Sequence, residues 1–160
     1  MNYDFHFGNI PQEKQRGFKI VPHEYRKHPE VDIILPTRGD DRSAGYDFYL
    51  PQPVLITPGN KITIWTDVCS YMQPDEVLML YVRSSIGIKK GLVLANGTGI
   101  IDSSYYPNNI GICLYNSSDE KVNLLRGDRI AQGIFMKYLT ADNDEVLNKS
   151  RKGGFGSSGR

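Results

Sequence analysis
The residues best suited to chemistry in this 160-residue chain fall into five short polar segments. Arg83-Ser84-Ser85 gathers a guanidinium and two hydroxyls at what reads as a helix start, a set suited to phosphate oxygens. In Asn96-Gly97-Thr98-Gly99-Ile100-Ile101-Asp102 the glycines permit close backbone approach to a ligand, and a carboxylate follows an apolar pair. A carboxylate at such a pocket edge can orient and deprotonate a water for attack on phosphorus, general-base chemistry worth about 10²- to 10⁴-fold in rate. Ser43-Ala44-Gly45-Tyr46-Asp47 puts a second acid next to a glycine entering a strand, and Gly127-Asp128-Arg129-Ile130-Ala131-Gln132 opens another strand with an acid, a guanidinium and a carboxamide. Gly153-Gly154-Phe155-Gly156-Ser157-Ser158 isolates one aromatic in a glycine- and hydroxyl-rich tail, an arrangement suited to stacking.

Taken singly, each segment also has a plain structural explanation. Asp47 reads as a surface acid at a turn, Arg83-Ser84-Ser85 as a serine-capped surface helix with an exposed arginine, and Asp102 as the cap of the turn Ser103-Ser104. The adjacent Asp128 and Arg129 read as a structural ion pair of small energetic worth. Several familiar motifs are excluded. Gly154, Gly156 and Gly159 match G-x-G-x-x-G, but the dinucleotide fingerprint needs a strand before it and a helix after it, and only Arg160 follows here. No phosphate-binding G-x-x-x-x-G-K-[ST] occurs, and neither zinc-ligand spacing nor a serine–histidine arrangement is visible.

The elements that must position these residues are mainly β. Runs suited to strands span Val31 to Leu35, Tyr46 to Leu50, Lys61 to Asp67, Val77 to Val82, Ile110 to Tyr115 and Arg129 to Phe135, separated by Pro-, Gly- and Asn-rich turns. Many short strands of this kind imply a sandwich or a closed barrel. The segment Ser84 to Lys90 is the short-helix candidate, with either serine able to cap it. The first thirty residues hold all three histidines and little periodicity, which suggests an arm or an edge addition, and residues 147–160 read as a mobile Gly-, Ser- and basic-rich arm. At 18.1 kDa one domain, 1–160, is expected. A formal charge of +1 advertises neither polymeric nucleic acid nor an anionic membrane. Two cysteines and no bilayer-length apolar stretch point to a soluble cytoplasmic protein.

Taken together, in this order and spacing, the five segments resemble the five motifs of the trimeric dUTPases, from about Val31 to the end. Asn96 stands six residues before Asp102 and thirteen after Arg83, a spacing no generic β domain needs. The resemblance implies an all-β, distorted jelly-roll or β-clip protomer with one short helix, assembled as a homotrimer with active sites at subunit interfaces. It implies Mg2+-dependent hydrolysis of dUTP to dUMP and pyrophosphate, which lowers dUTP and supplies dUMP for thymidylate synthesis. By similarity Asp102 activates the water, Asn96 and the backbone of Gly99, Ile100 and Ile101 read uracil, and Tyr105 packs on the deoxyribose. Arg83, Ser84, Ser85 and Gln132 match the phosphate-side residues, with Asp47 and Gln132 touching magnesium through water and no direct protein ligand. Phe155 would stack on uracil, with Gly156, Ser157 and Ser158 beside it near the terminal phosphates. The pattern departs at Ser150, where the family has an arginine five residues before the stacking Phe; Arg151 would take that role, and Lys152 could serve only as a point charge.

Two alternatives stand beside this resemblance. A dCTP deaminase of the same fold needs a glutamate in the strand after the third motif, yet Gly111 to Asn116 contains no acid and Cys113 stands in its place. A non-catalytic jelly-roll binding module would have no call for Asp102, Tyr105 and Phe155 together. The first thirty residues, hardly covered by the resemblance, are the candidate surface for an unidentified protein partner.

Overall fold
The computed structural model describes residues 14–146. Within them the strands are β1 (Gly17–Ile20), β2 (Thr37–Arg38), β3 (Tyr46–Tyr49), β4 (Val54–Ile56), β5 (Lys61–Trp65), β6 (Val68–Tyr71), β7 (Glu76–Val82), β8 (Leu92–Leu94), β9 (Gly99–Asp102), β10 (Gly111–Asn116), β11 (Val122–Leu124) and β12 (Arg129–Lys137). One helix, α1 (Ser84–Lys90), follows β7, and two 3-10 turns cover His23–Tyr25 and Ser103–Tyr105. The strands form an antiparallel five-stranded sheet in the order β2-β3-β12-β7-β9, a three-stranded sheet β5-β10-β8, and the pairs β4-β11 and β1-β6. This is the all-β jelly-roll expected.

Side-chain alternation builds the core between the sheets. On β10, Ile112, Leu114 and Asn116 point inward while Tyr115 faces solvent, the period-two pattern of a half-buried strand. The core cluster also holds Phe48, Leu78, Leu80 and Ile130 from the large sheet and Ile64 and Leu92 from the three-stranded one. Leu78 has no exposed surface, so truncating it to alanine would cost about 2–5 kcal/mol. The loop 95–98 carries the chain from β8 in one sheet to β9 in the other. β9 can lie against β7 because Gly99 has no side chain: a Cβ there would sit 2.9 Å from that of Leu80.

Three expectations need correction. Val31 to Leu35 is not a strand; it runs as an irregular segment that tucks Ile33 against the core, and pairing begins only at Thr37. Neither serine caps α1: the N-cap position is Arg83, in extended backbone with no side-chain cap bond, and Ser84 and Ser85 lie in the first turn. Lys61 to Asp67 is also shorter than expected, since β5 stops at Trp65 and Asp67 turns the chain with φ 56°.

The part of the first thirty residues that is described is fastened to the body. β1 pairs along β6, and Phe18 packs edge-on against Phe48 with ring centroids 5.5 Å apart. Just before it, Arg16 Nε donates to Glu76 Oε1 at 2.9 Å, and this bond holds the buried Glu76 carboxyl below its ordinary range. Among the described residues no helix is long and apolar enough to cross a membrane.

Candidate active site
The large sheet collects one group of predicted residues. Asp47 on β3 lies in register with Gln132 on β12, which lies in register with Tyr81 on β7, two residues before Arg83. Arg83 Nε meets Asp47 Oδ1 at 2.7 Å, and Arg129 Nη1 donates to Oδ2 at 3.3 Å. The Asp47 side chain is only 8% exposed, so the two guanidinium groups supply the compensation that a buried charge requires. One carboxylate between two arginines leaves a net positive charge, suited to polyanion oxygens. Arg83 Nη1 also donates to Ser85 Oγ at 3.4 Å, joining that hydroxyl to the cluster, while Ser84 is exposed beside it. Gly45 makes room for Gln132, since a Cβ at Gly45 would fall 2.5 Å from Gln132 Oε1.

Two structural readings of these segments change accordingly. Asp47 is not a surface acid at a turn. Arg129 does not pair with its neighbour Asp128, which instead accepts from the Leu125 N–H at 2.8 Å and closes its own turn. Arg129 joins the cluster without a local signal in the sequence, because its partner lies 82 positions away.

The second group sits on β9 and its continuation. Asn96 is exposed in the turn before β9, Gly99 is buried, Ile100 is exposed, and Ile101 is half-buried. Asp102 ends the strand in register with Val77, and makes no side-chain cap of the turn Ser103–Tyr105. Tyr105 packs against the core and donates its hydroxyl to the Asn109 carbonyl at 2.8 Å.

The two groups do not meet within one chain. Asp47 lies three strands across the sheet from β9, and its register row is four residues from that of Asp102. At ~4.8 Å per strand and ~3.3 Å per residue, the separation is roughly 20 Å. Arg151, Phe155, Gly156, Ser157 and Ser158 lie outside the described residues. Among the described residues no cluster of three or more His, Cys, Asp or Glu could hold a metal ion. Cys69 is no candidate nucleophile: burial pushes its thiol up to about 11.

A dUTPase family model matches residues 31–159. The chain belongs to the dUTPase family. A Lactococcus lactis deoxyuridine 5'-triphosphate nucleotidohydrolase is 44% identical over 152 residues, covering 91% of this chain and 99% of that protein. A Yaba monkey tumor virus protein of the same description is 37% identical over 84% of this chain and 95% of its own length. The solved dUTPase from Streptococcus mutans superposes with a TM-score of 0.69 at 38% identity, over 79% of this chain and 99% of that one. The chain is therefore a dUTPase, and the deaminase and binding-module alternatives fall away. Nothing supports a protein partner at the N-terminal segment, whose residues from Arg16 to His28 make extensive contacts within the chain.

Proposed function
We propose that this dUTPase cleaves dUTP by attack of an Asp102-activated water on the α-phosphorus, in sites each assembled from neighbouring chains of a homotrimer. What supports the shared-site reading is the register, which puts the Asp47 and Asp102 backbones roughly 20 Å apart at ideal sheet spacings, further than one triphosphate tail can bridge. Contributions from different chains close that gap. The water's proton passes to Asp102, its oxygen bonds the α-phosphorus, and the bond to the bridging oxygen breaks as pyrophosphate leaves. Arg83, Ser84, Ser85 and Gln132 hold the phosphates, and Asp47, clamped by Arg83 and Arg129, fixes the direction of the Arg83 guanidinium. Asn96 and the backbone of Gly99, Ile100 and Ile101 read uracil, and Tyr105 walls the deoxyribose so that a 2′-hydroxyl has no place. Phe155 stacks on the base, with Gly156, Ser157 and Ser158 toward the terminal phosphates and Arg151 in the role of the family's arginine.

Magnesium fits as an ion carried mainly by the substrate's phosphates, since it keeps its waters readily and the described residues offer no cage of acids. Asp47 and Gln132 would reach it through water, and bound there it would neutralise charge developing on the triphosphate. The whole chain is read as one domain, 1–160, with 1–30 as an N-terminal extension and 147–160 as an arm. Its two cysteines are free thiols, in keeping with a reducing, cytoplasmic setting.

The test is pyrophosphate release with magnesium from dUTP, dCTP, dTTP and UTP, for the native chain and Asp102→Asn. Turnover of dUTP alone, reduced about 10²- to 10⁴-fold in the variant at little-changed KM, is the expected result. Near-normal turnover by Asp102→Asn would remove Asp102 from the base role.

A further inference from the structure
Asp67 occupies a costly position. Its backbone is left-handed, with φ 56°, and it has no exposed surface. Glycine takes that conformation freely, so a buried aspartate persists there only where its side chain is fixed from several directions. Oδ1 accepts from the Lys27 N–H at 2.8 Å and from Asn109 Nδ2 at 2.6 Å. Oδ2 accepts from the His28 N–H at 2.7 Å, with Arg26 Nε 3.7 Å away. The Asp67 N–H returns a bond to Asn109 Oδ1 at 2.9 Å, so the two residues grip one another twice.

Asn109 is also where Tyr105 ends. Its carbonyl accepts the Tyr105 hydroxyl at 2.8 Å, and next to it Asn108 donates to the Tyr105 carbonyl from its N–H at 2.9 Å and its side chain at 2.8 Å. One continuous path of bonds thus runs from residues 27–28, outside the region matched by the family model, through Asp67 and Asn109 to Tyr105. A wall that must refuse one extra hydroxyl has to hold its place within about 0.5 Å, and a ring tethered at both its hydroxyl and its own carbonyl can do so.

We propose that Asp67 and Asn109 are positioning residues for Tyr105, and that through it they set the preference for deoxyribose over ribose substrates. The proposal rests on the reading of Tyr105 as the residue facing the sugar. Neither Asp67 nor Asn109 touches substrate; each acts by fixing where the ring stands.

The experiment measures kcat and KM for dUTP and UTP with the full chain and magnesium, in the native protein, Asp67→Gly, Asp67→Asn and Tyr105→Ala. Glycine keeps the backbone conformation and the N–H bond to Asn109 while deleting the carboxylate's ties, so Asp67→Gly should lower the dUTP/UTP preference about tenfold, with KM for dUTP rising more than kcat falls. Asparagine tolerates the same φ and keeps one accepting oxygen, while its NH2 faces the donors of the other, so Asp67→Asn should recover part of that preference. A purely structural role would instead lower kcat through lost active protein, with KM and preference unchanged. That outcome in Asp67→Gly, alongside a Tyr105→Ala enzyme that does turn over UTP, overturns the inference while leaving the sugar reading intact. If Tyr105→Ala still refuses UTP, the sugar reading fails and the inference with it. Should Asp67→Gly not fold, Asn109→Ala carries the same expectation and the same refutation.

Discussion
Replacing Asp47 with asparagine keeps the shape of the clamp and removes its charge. The Arg83 bond, at 2.7 Å with the arginine side chain 23% exposed, is a charge-assisted hydrogen bond of the kind worth about 1.5–3 kcal/mol. The Arg129 contact is longer, at 3.3 Å, and that arginine is 48% exposed, so it adds under about 1 kcal/mol. The asparagine oxygen can still serve one guanidinium, but its NH2 then faces the donors of the other. A net loss of about 2–3 kcal/mol follows, which lowers Tm by roughly 5–10 °C for a chain of this size. The assay is thermal unfolding at fixed protein concentration, since assembly makes Tm concentration-dependent, beside dUTP hydrolysis in low and high salt. With Arg83 free to wander, kcat/KM should fall about 10- to 100-fold. Native Tm together with native kcat/KM would refute the idea that Asp47 orients Arg83.

Gly45→Ala should cost modest stability, because its nearest contact is the far end of Gln132 while Gln132 Cβ lies tight at 3.3 Å, and should raise KM for dUTP as the carboxamide is pushed away; an unchanged KM would take Gln132 out of the phosphate site. Arg16→Met tests pH linkage at Glu76. Arg16 lowers the folded pKa of Glu76 below its ordinary 4.5, so this stabilisation is complete above that value and is lost as pH falls through the depressed one. The Tm gap between native and variant should therefore be constant above about pH 5 and narrow as pH drops below 4.5, and a gap that widens in acid would contradict the assignment. Deleting residues 149–160, which carry Phe155, should abolish most dUTP turnover with little change in Tm, and a large loss of Tm would show the segment to be structural instead.

How much was legible depended on the length of each element and the range of each contact. β7, β10 and β12 carry apolar or alternating runs long enough to read, and α1 stood out between Arg83 and Gly91. Strands such as β4, β8 and β11 are three residues long, too short for a period of two to show. Val31 to Leu35 has a strand's apolar content without being a strand, and its Ile33 packs against the core instead. Candidate site residues could be singled out by type and spacing, but Arg129 and Asp67 could not. Their importance lies in partners 82 and about 40 positions away, and only the folded sheet brings those together.

The distance between Asp102 and the arginine clamp also changes what a damaging mutation means. In the shared sites proposed above, a chain without Asp102 would still lend its guanidinium groups to a neighbour, and a chain without Arg83 would still lend its base. Two silent alleles expressed together would then rescue part of the activity, because some sites draw their two halves from different parents. A single bad allele among good ones would do the reverse, spoiling sites that its own sequence does not own.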